Sequence, residues 1–229
     1  MHGTQRMSKK TSSTDTLRAQ TLNRAGLEHY ERWEMETAIT LFQEAIRLDD
    51  QQPDYYLNLA RSHVRMGDYD YMLQALGNYL HIEKDVTLIS RFQTLFSNAL
   101  DDVEEQLTTT MRGQGVRLEI IGAAIQMWLE YRVTIGKRYL DLSNHAAWAA
   151  ALDYTVRKVN FEEISLEQIT EWYKTDEGAI QANQTQLVET LDVMPCDYRY
   201  FRNADNPLDK LVEAASMLEE LESRFRSTK

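Results

Sequence analysis

The 229-residue sequence predicts an all-α protein. It contains only 9 glycines and 3 prolines, too few turn residues for a sandwich or barrel of many short strands. Over most of the chain the apolar residues recur at steps of three and four, which is the spacing of amphipathic helices. Residues 19–86 also repeat with a period of about 34 residues, and such a period indicates stacked helical hairpins.

The two repeat units run over residues 19–52 and 53–86. Each contains two helical apolar patterns separated by a short break. In the first unit, Gly26 and Ala38 are small enough to let two antiparallel helices approach closely, while Phe42 fills the space beside them. A single hairpin cannot cover its own apolar face, so we expect the two hairpins to stack on each other.

Residues 19–86 resemble two tetratricopeptide repeats. The first unit carries the family pattern at Leu22, Gly26, Ala38, Phe42 and Ala45, and the second at Tyr56, Leu59, Ala60, Gly67, Tyr69 and Leu80. The second unit departs from the pattern at Met72 and Tyr79, where the family usually has alanine. The resemblance implies that the first helices of the hairpins line a concave groove that binds a protein or peptide.

In this family, groove residues often occupy the second, fifth, sixth, ninth and twelfth positions of a repeat. Here these are Gln20, Asn23, Arg24, Leu27 and Tyr30, then Asp54, Leu57, Asn58, Arg61 and Val64. A clamp for a terminal carboxylate would need lysine in place of Asn23 and asparagine in place of Leu27, so we expect a mixed polar and aromatic groove. The candidate partner-binding residues are Asn23, Arg24, Tyr30, Asn58 and Arg61.

Two linking helices are predicted after the repeats. Residues 86–111 have apolar side chains at helical spacing and are expected to cap the stack as one helix. Residues 116–135 form a long amphipathic pattern that Gly136 is placed to stop. The expected organisation is a disordered basic tail over 1–18, a repeat region with its cap over 19–111 and a helical C-terminal module over 112–229.

The C-terminal module is expected to contain three short helices over residues 144–191 and a terminal helix over 208–225. Asn144 is placed to cap the first helix, and a capping box begins at Ser165. A short helix, a tight turn and a longer helix form the outline of a helix-turn-helix. Through Trp128, Trp148 and Tyr154, residues 125–191 resemble a bacterial tri-helical, cyclin-like helix-turn-helix module that follows such repeats.

A DNA-reading helix-turn-helix would use residues 176–191 as its recognition helix, and this helix offers Gln181, Asn183 and Gln184 as base contacts. It contains no lysine or arginine, and residues 141–200 carry four basic and eleven acidic side chains. Phosphate neutralisation supplies most non-specific affinity, so the charge argues against nucleic acid. Outside that range, the acidic chain has one small basic cluster, which would form a weak face for anions: Arg132, Lys137 and Arg138.

Signals for catalysis or metal binding are weak. The four histidines of predicted helices lack the spacing of a helical metal site: His29, His63, His81 and His145. Cys196 would need a nearby base such as His145 to act as a nucleophile, and a single cysteine excludes a disulfide within the chain. We therefore expect no enzyme activity, no metal and no cofactor.

The apolar runs and the N-terminus of the sequence bear on localisation. No apolar run reaches the roughly 18 to 20 residues that span a bilayer, and the N-terminus lacks the apolar core of a signal peptide. We expect a cytoplasmic adaptor or scaffold that is a monomer or weak homodimer and binds a protein or peptide. The alternative is a transcription-associated or DNA-binding protein that uses residues 144–191.

Overall fold

The structure, a computed structural model, describes residues 12–96 and 100–202, so the helix predicted over 208–225 lies outside the described residues. Within those ranges the chain contains helices and no β-strand, which confirms the all-α fold class. The α-helices of these ranges are α1 (Ser13–Glu31), α2 (Met35–Leu48), α3 (Pro53–Met66), α4 (Tyr69–Ile82), α5 (Val86–Gln93), α6 (Asp102–Gly113), α7 (Leu118–Thr134), α8 (His145–Val159), α9 (Leu166–Tyr173) and α10 (Glu177–Leu191).

The described chain divides into two compact units. The N-terminal unit comprises residues 12–96 and 132–138, and the C-terminal unit comprises residues 100–131 and 139–202. Helix α7 contributes residues to both units. Helix α6, which the sequence groups with the repeats, lies in the C-terminal unit.

Helices α1 to α4 of the N-terminal unit form two consecutive hairpins. Helices α2 and α4 each have 14 residues, and their first residues, Met35 and Tyr69, are one repeat period apart, as the sequence predicts. Helix α1 begins at Ser13 because the Ser12 side chain caps it by accepting a hydrogen bond from the Asp15 backbone N–H. Residues 13–18 therefore belong to α1 and not to the predicted tail.

Helices α1 and α2 are in close contact at Gly26. A Cβ atom added to Gly26 would lie 2.6 Å from Cε1 of Phe42, a side chain with no exposed surface. Ala38 on α2 is also completely buried. Gly26 therefore lies at the close helix contact predicted from the sequence, and Ala38 lies in the core.

The two hairpin turns share one backbone conformation. Trp33 has a φ of 61° and Gly67 a φ of 77°, both in the left-handed region, and the two residues occupy equivalent positions of the two repeat units. This conformation ends a helix in the way typical of a C-terminal cap. Glycine adopts it freely, whereas tryptophan adopts it at a cost of about 1 kcal/mol.

The capping helix predicted over 86–111 is instead two helices, α5 and α6, with a 3₁₀ turn over Thr94–Phe96 after the first. Helix α6 starts at a capping box: the Asp101 carboxylate accepts the Glu104 backbone N–H at 2.8 Å, and the Glu104 carboxylate accepts the Asp101 N–H at 3.0 Å. The N–H groups of Asp101 and Glu104 are bonded to side chains, whereas in a continuous helix they would be bonded to backbone carbonyls, so the box marks the start of a new helix.

Each unit has its own aromatic core. In the N-terminal unit, the rings of Tyr79 and Phe92 form a T-shaped pair with centroids 5.4 Å apart. In the C-terminal unit, Trp128, Tyr131 and Trp148 form a mutual cluster with centroid distances of 5.1 to 5.8 Å. All five side chains are buried.

Helices α8, α9 and α10 form the predicted three-helix arrangement of the C-terminal unit. Their caps are Asn144, the Ser165 capping box and Asp176, each accepting a backbone N–H in the first turn. Lys174, with a φ of 51°, ends α9 and makes the tight turn into α10. The buried residues of α10 include Ile180, which faces the interior of this unit.

Candidate functional site

Four of the five predicted partner-binding residues lie together between α1 and α3, and we call them the α1/α3 cluster: Asn23, Tyr30, Asn58 and Arg61. The Asn58 side-chain amide donates to the Asn23 side-chain oxygen at 3.0 Å. Arg61 donates to the Asn58 side-chain oxygen at 3.3 Å, and its guanidinium lies over the Tyr30 ring at 5.0 Å. Residues from both hairpins therefore form one continuous polar and aromatic surface.

Arg24, the fifth predicted residue, is exposed on α1 beside Asn23. Within residues 12–96, no hydrogen bond, ion pair or ring contact joins its side chain to the cluster. Arg24 is therefore an accessible cation at the border of the α1/α3 cluster.

Arg65 extends the cluster, and the sequence analysis missed it. Its guanidinium lies 4.2 Å from the centre of the Tyr30 ring and 4.5 Å from that of Trp33, and the residue is 8% exposed. A signal was present in the sequence, because Arg65 follows Arg61 by four residues and so lies one helical turn further along α3.

Tyr30 is the central residue of this cluster. It is 5% exposed, and its hydroxyl makes no hydrogen bond with any described residue. Two guanidinium groups, those of Arg61 and Arg65, lie over its ring, an arrangement that cation–π attraction stabilises. The ring therefore holds both cations in place on α3.

The adjoining part of the groove is covered by the chain itself. Gly136 packs on Leu57, since a Cβ at Gly136 would lie 3.5 Å from Leu57 Cδ2. Lys137 Nζ forms ion pairs with Asp54 at 2.7 Å and with Glu83 at 3.2 Å. Leu57, a position at which the resemblance implies partner contact, is therefore covered by residues 132–138, whereas the Asp54 side chain pairs with Lys137 but remains 63% exposed.

The same segment is fixed by α5 and the turn after it. Arg91 donates to the backbone carbonyls of Arg138 at 2.6 Å and of Arg132 at 3.3 Å. The Arg132 guanidinium donates to the Thr94 hydroxyl. The Arg132 carbonyl lies in the last turn of α7, where carbonyls lack intrahelical partners, so the Arg91 guanidinium satisfies this carbonyl and also joins it to the segment after the helix.

Two of the three residues of the basic cluster noted in the sequence already have partners, whereas Arg138 is exposed. Arg132 is 6% exposed, and Lys137 is already paired with two carboxylates. Burial acts to lower the pKa of Lys137, but hydrogen bonds to Asp54 and Glu83 outweigh it, so this pKa is raised. The pKa of Glu83 falls to about 2: burial raises it, but the backbone N–H groups of Asp85 and Lys84 outweigh that effect.

The three residues proposed for DNA contact do not share one surface of α10. Gln181 is exposed and donates to Glu177 at 3.1 Å, and Gln184 is half-buried one turn further on. Asn183 is rotated away from Gln181 by roughly 200° around the helix and lines a separate pocket. The helix therefore presents two of the three amides, next to the carboxylate of Glu177.

A buried ion-pair network in the C-terminal unit was not predicted. Arg199 donates to Glu130 at 2.5 Å and to Asp197 at 2.7 Å, and Tyr200 donates to Glu130 at 2.6 Å. Burial acts to lower the pKa of Arg199, but its hydrogen bonds to Asp197 and the neighbouring charges outweigh burial and raise it. These side chains are all buried, so the network holds residues 197–200 against α7 and offers no surface to a ligand.

A second buried network connects α8 and α9. Asp153, with no exposed surface, accepts Arg157 Nε at 2.6 Å and the Tyr173 hydroxyl at 3.0 Å. Burial raises the pKa of Asp153, an effect that Arg157 opposes. The network fixes the contact between the two helices that precede α10.

The candidate catalytic residues are not arranged for chemistry. His145 is the exposed first residue of α8, and Cys196 is half-buried in the loop after α10; no hydrogen bond between them is observed in the described ranges. His29 and His63 pair instead with Glu34 and Asp68, the acidic residues just before α2 and α4. Among the described residues, no three His, Cys, Asp or Glu side chains are grouped so as to hold a metal ion.

Comparison with known proteins gives no assignment. No family model, no curated protein and no solved structure matches the chain. None of the described helices combines the length and the apolar character needed to span a membrane.

Proposed function

We propose that this protein is a non-catalytic adaptor that binds a polypeptide at the α1/α3 cluster, and that its two hairpins are tetratricopeptide repeats. The observation that carries the proposal is the hydrogen bond between the side chains of Asn23 and Asn58, which are 35 residues apart. It joins two residues to which the family resemblance assigns groove positions in different hairpins. Stacked first helices form a groove of this kind in repeat proteins.

The chemistry of the α1/α3 cluster suits the backbone of a bound polypeptide. Asn58 and Arg61 supply amide and guanidinium donors to carbonyl or carboxylate oxygens. Arg24 adds an exposed cation, and the buried Tyr30 hydroxyl has hydrogen-bonding capacity that the described residues do not use. Because Gly136 covers Leu57 and Lys137 is paired with Asp54, we place the proposed partner on the side of the groove formed by α1.

The test begins with peptides selected from a random displayed library on the purified protein. The affinity of the best peptide is measured by fluorescence anisotropy for the wild type and for Arg61→Glu and Arg24→Glu. Charge reversal at a groove cation should weaken binding about tenfold or more, which corresponds to about 1.4 kcal/mol. Arg24→Glu is informative on its own, since Arg24 makes no observed contact within residues 12–96 that folding would require.

The matched control is Arg47→Glu, the same charge reversal at an exposed position of α2. It should leave the affinity within about twofold of the wild type, because surface charges far from a site act only weakly through water. Equal weakening by Arg47→Glu and Arg24→Glu would mean that net charge, not the groove, governs binding. A library that yields no binding peptide would contradict the adaptor proposal directly.

A further inference from the structure

A separate pocket of about 260 Å³ lies in the C-terminal unit. It is formed by the loop of residues 139–144, the first turn of α8 and one side of α10, and we call it the α8/α10 pocket. Ala147 and Ala179 leave space between the helices, and the buried Trp148 forms part of the lining. Pockets for drug-sized molecules are roughly 300 to 1,000 Å³, so this one is sized for a single side chain.

The loop at the mouth of the α8/α10 pocket is fixed by hydrogen bonds. The Trp148 indole N–H donates to the Asp141 carbonyl at 2.8 Å, and the Ser143 N–H donates to the Asp141 carboxylate at 2.9 Å. The Asn144 side chain accepts the Ala147 N–H at 3.0 Å and reaches Thr175 at 3.4 Å. The pocket is therefore formed before any ligand binds.

The described polar residues that line the α8/α10 pocket are one carboxylate residue, three amide residues and the hydroxyl residues Tyr139 and Ser143. Among the described residues that line it, only Asp141 is charged, and hydrogen bonds from Ser143 lower the pKa of this carboxyl, so it is ionised at neutral pH. The side-chain amides of Asn183 and Gln186 make no hydrogen bond with the rest of the described chain. Tyr139, which is 86% exposed, adds an aromatic ring at the edge.

We propose that the α8/α10 pocket binds an arginine side chain of a basic polypeptide. A guanidinium group has five donors in one plane and pairs with carboxylate and amide oxygens, and the lining contains one carboxylate residue, Asp141, and the amide residues Asn183 and Gln186. The Tyr139 ring can cover the cation. The excess of acidic over basic residues between positions 141 and 200 draws a basic chain towards this unit.

The same lining disfavours a nucleic-acid ligand. A phosphate group would meet the Asp141 carboxylate, and the part of the lining that the structure describes contains neither lysine nor arginine to neutralise it. Asn183, which the sequence suggests as a base contact, is instead one of the amides of the α8/α10 pocket. This site is independent of the α1/α3 cluster, so either proposal can fail without the other.

The probe is the peptide acetyl-Gly-Arg-Gly-amide, titrated into the ¹⁵N-labelled full chain and followed by NMR. A second peptide carries citrulline, which keeps the shape of arginine but removes its charge. We expect the arginine peptide to shift the backbone signals of Ser143, Ala147 and Asn183 with a dissociation constant in the millimolar range. The citrulline peptide should bind at least fivefold more weakly, because the charge-assisted hydrogen bonds to Asp141 are lost.

Two variants of α10 separate the pocket from general electrostatics. Gln186→Lys places a competing cation at the edge of the pocket and should weaken the arginine peptide about fivefold or more. Gln181→Lys makes the same change on the same helix outside the lining, and should have an effect of less than twofold. Asp141→Asn should weaken binding to a similar extent as Gln186→Lys, with folding checked by the unshifted signals of α9.

Three results would overturn the proposal. Equal binding of the arginine and citrulline peptides would show that the charge is not recognised. Equal weakening by Gln181→Lys and Gln186→Lys would assign the effect to net charge. Shifts of the same three backbone signals by duplex DNA or inorganic phosphate, with none from the arginine peptide, would make the pocket an anion site.

Discussion

Replacing Gly26 by alanine tests the close helix contact on which the N-terminal hairpins depend. The new methyl group would lie 2.6, 2.9 and 3.0 Å from three atoms of the Phe42 ring. The ring must move by about 0.8 Å to restore an ordinary contact of 3.4 Å, and Phe42 is completely buried, so its neighbours must move with it. Overpacking of this kind costs about 1 to 3 kcal/mol.

A second effect opposes this cost. Alanine favours the helix over glycine by about 1 kcal/mol, so the net loss of unfolding free energy for Gly26→Ala should be about 1 kcal/mol. Gly77→Ala isolates the favourable term, because Gly77 is an exposed residue of α4 and a Cβ there meets nothing within 4 Å. That variant should gain up to about 1 kcal/mol, which leaves a difference of about 2 kcal/mol between the two substitutions.

The measurement is urea unfolding followed by circular dichroism, with hydrogen exchange on peptides from α2 and α4 to report the N-terminal unit by itself. Gly26→Ala should increase exchange in α2, and Gly77→Ala should reduce it in α4. A double variant, Gly26→Ala with Phe42→Leu, should recover part of the clash energy. If Gly26→Ala were as stable as Gly77→Ala, the two helices would not be packed through this residue.

Two further outcomes follow from the charges. The pKa of Glu83 is about 2 in the folded protein against an ordinary value of 4.5, so its contribution to the unfolding free energy is complete above pH 4.5 and is lost as the pH falls towards 2. Glu83→Gln should therefore reduce the loss of unfolding free energy between pH 4.5 and pH 2. An unchanged pH dependence in this range would refute the lowered pKa of Glu83. Labelled duplex DNA should show no tight, salt-sensitive binding to the full chain, because α10 carries Glu177 beside Gln181; tight binding that Gln181→Ala and Gln184→Ala weaken would favour the DNA-binding alternative.

The repeat period predicted the helices because its signal is local and appears twice. The small residue Gly26 and the large residue Phe42 pack directly against each other within one hairpin. The breaks before Met35 and Tyr69 recur at equivalent positions of the two units. The split between α5 and α6 was not predicted, since the apolar spacing continues across it. In the sequence Asp101 is part of an acidic run, and only its capping role reveals a helix start.

The sequence predicted those contacts of the candidate site that join the first helices of the two repeat units, but not the contacts made by residues 132–138. Asn23 and Asn58 meet because the period places them on adjacent first helices. The covering of Leu57 by Gly136 joins residues that are far apart in the chain, and no local pattern indicates it. The basic residues of that segment looked like an exposed face, although Lys137 forms ion pairs inside its own unit.

The two hairpin turns differ in a way that bears on the proposed partner surface. Gly67 makes its turn without strain, but the equivalent Trp33 holds a φ of 61° that costs a side chain about 1 kcal/mol. The fold alone does not require tryptophan there, since glycine makes the same turn in the second repeat. What tryptophan adds is its ring, which lies 4.5 Å from the Arg65 guanidinium and continues the aromatic and cationic surface that Tyr30 begins. In the first hairpin, the strained conformation of Trp33 therefore comes with a ring that enlarges the α1/α3 cluster. The second hairpin is covered at Leu57 by residues 132–138, and its turn has a glycine and no such strain.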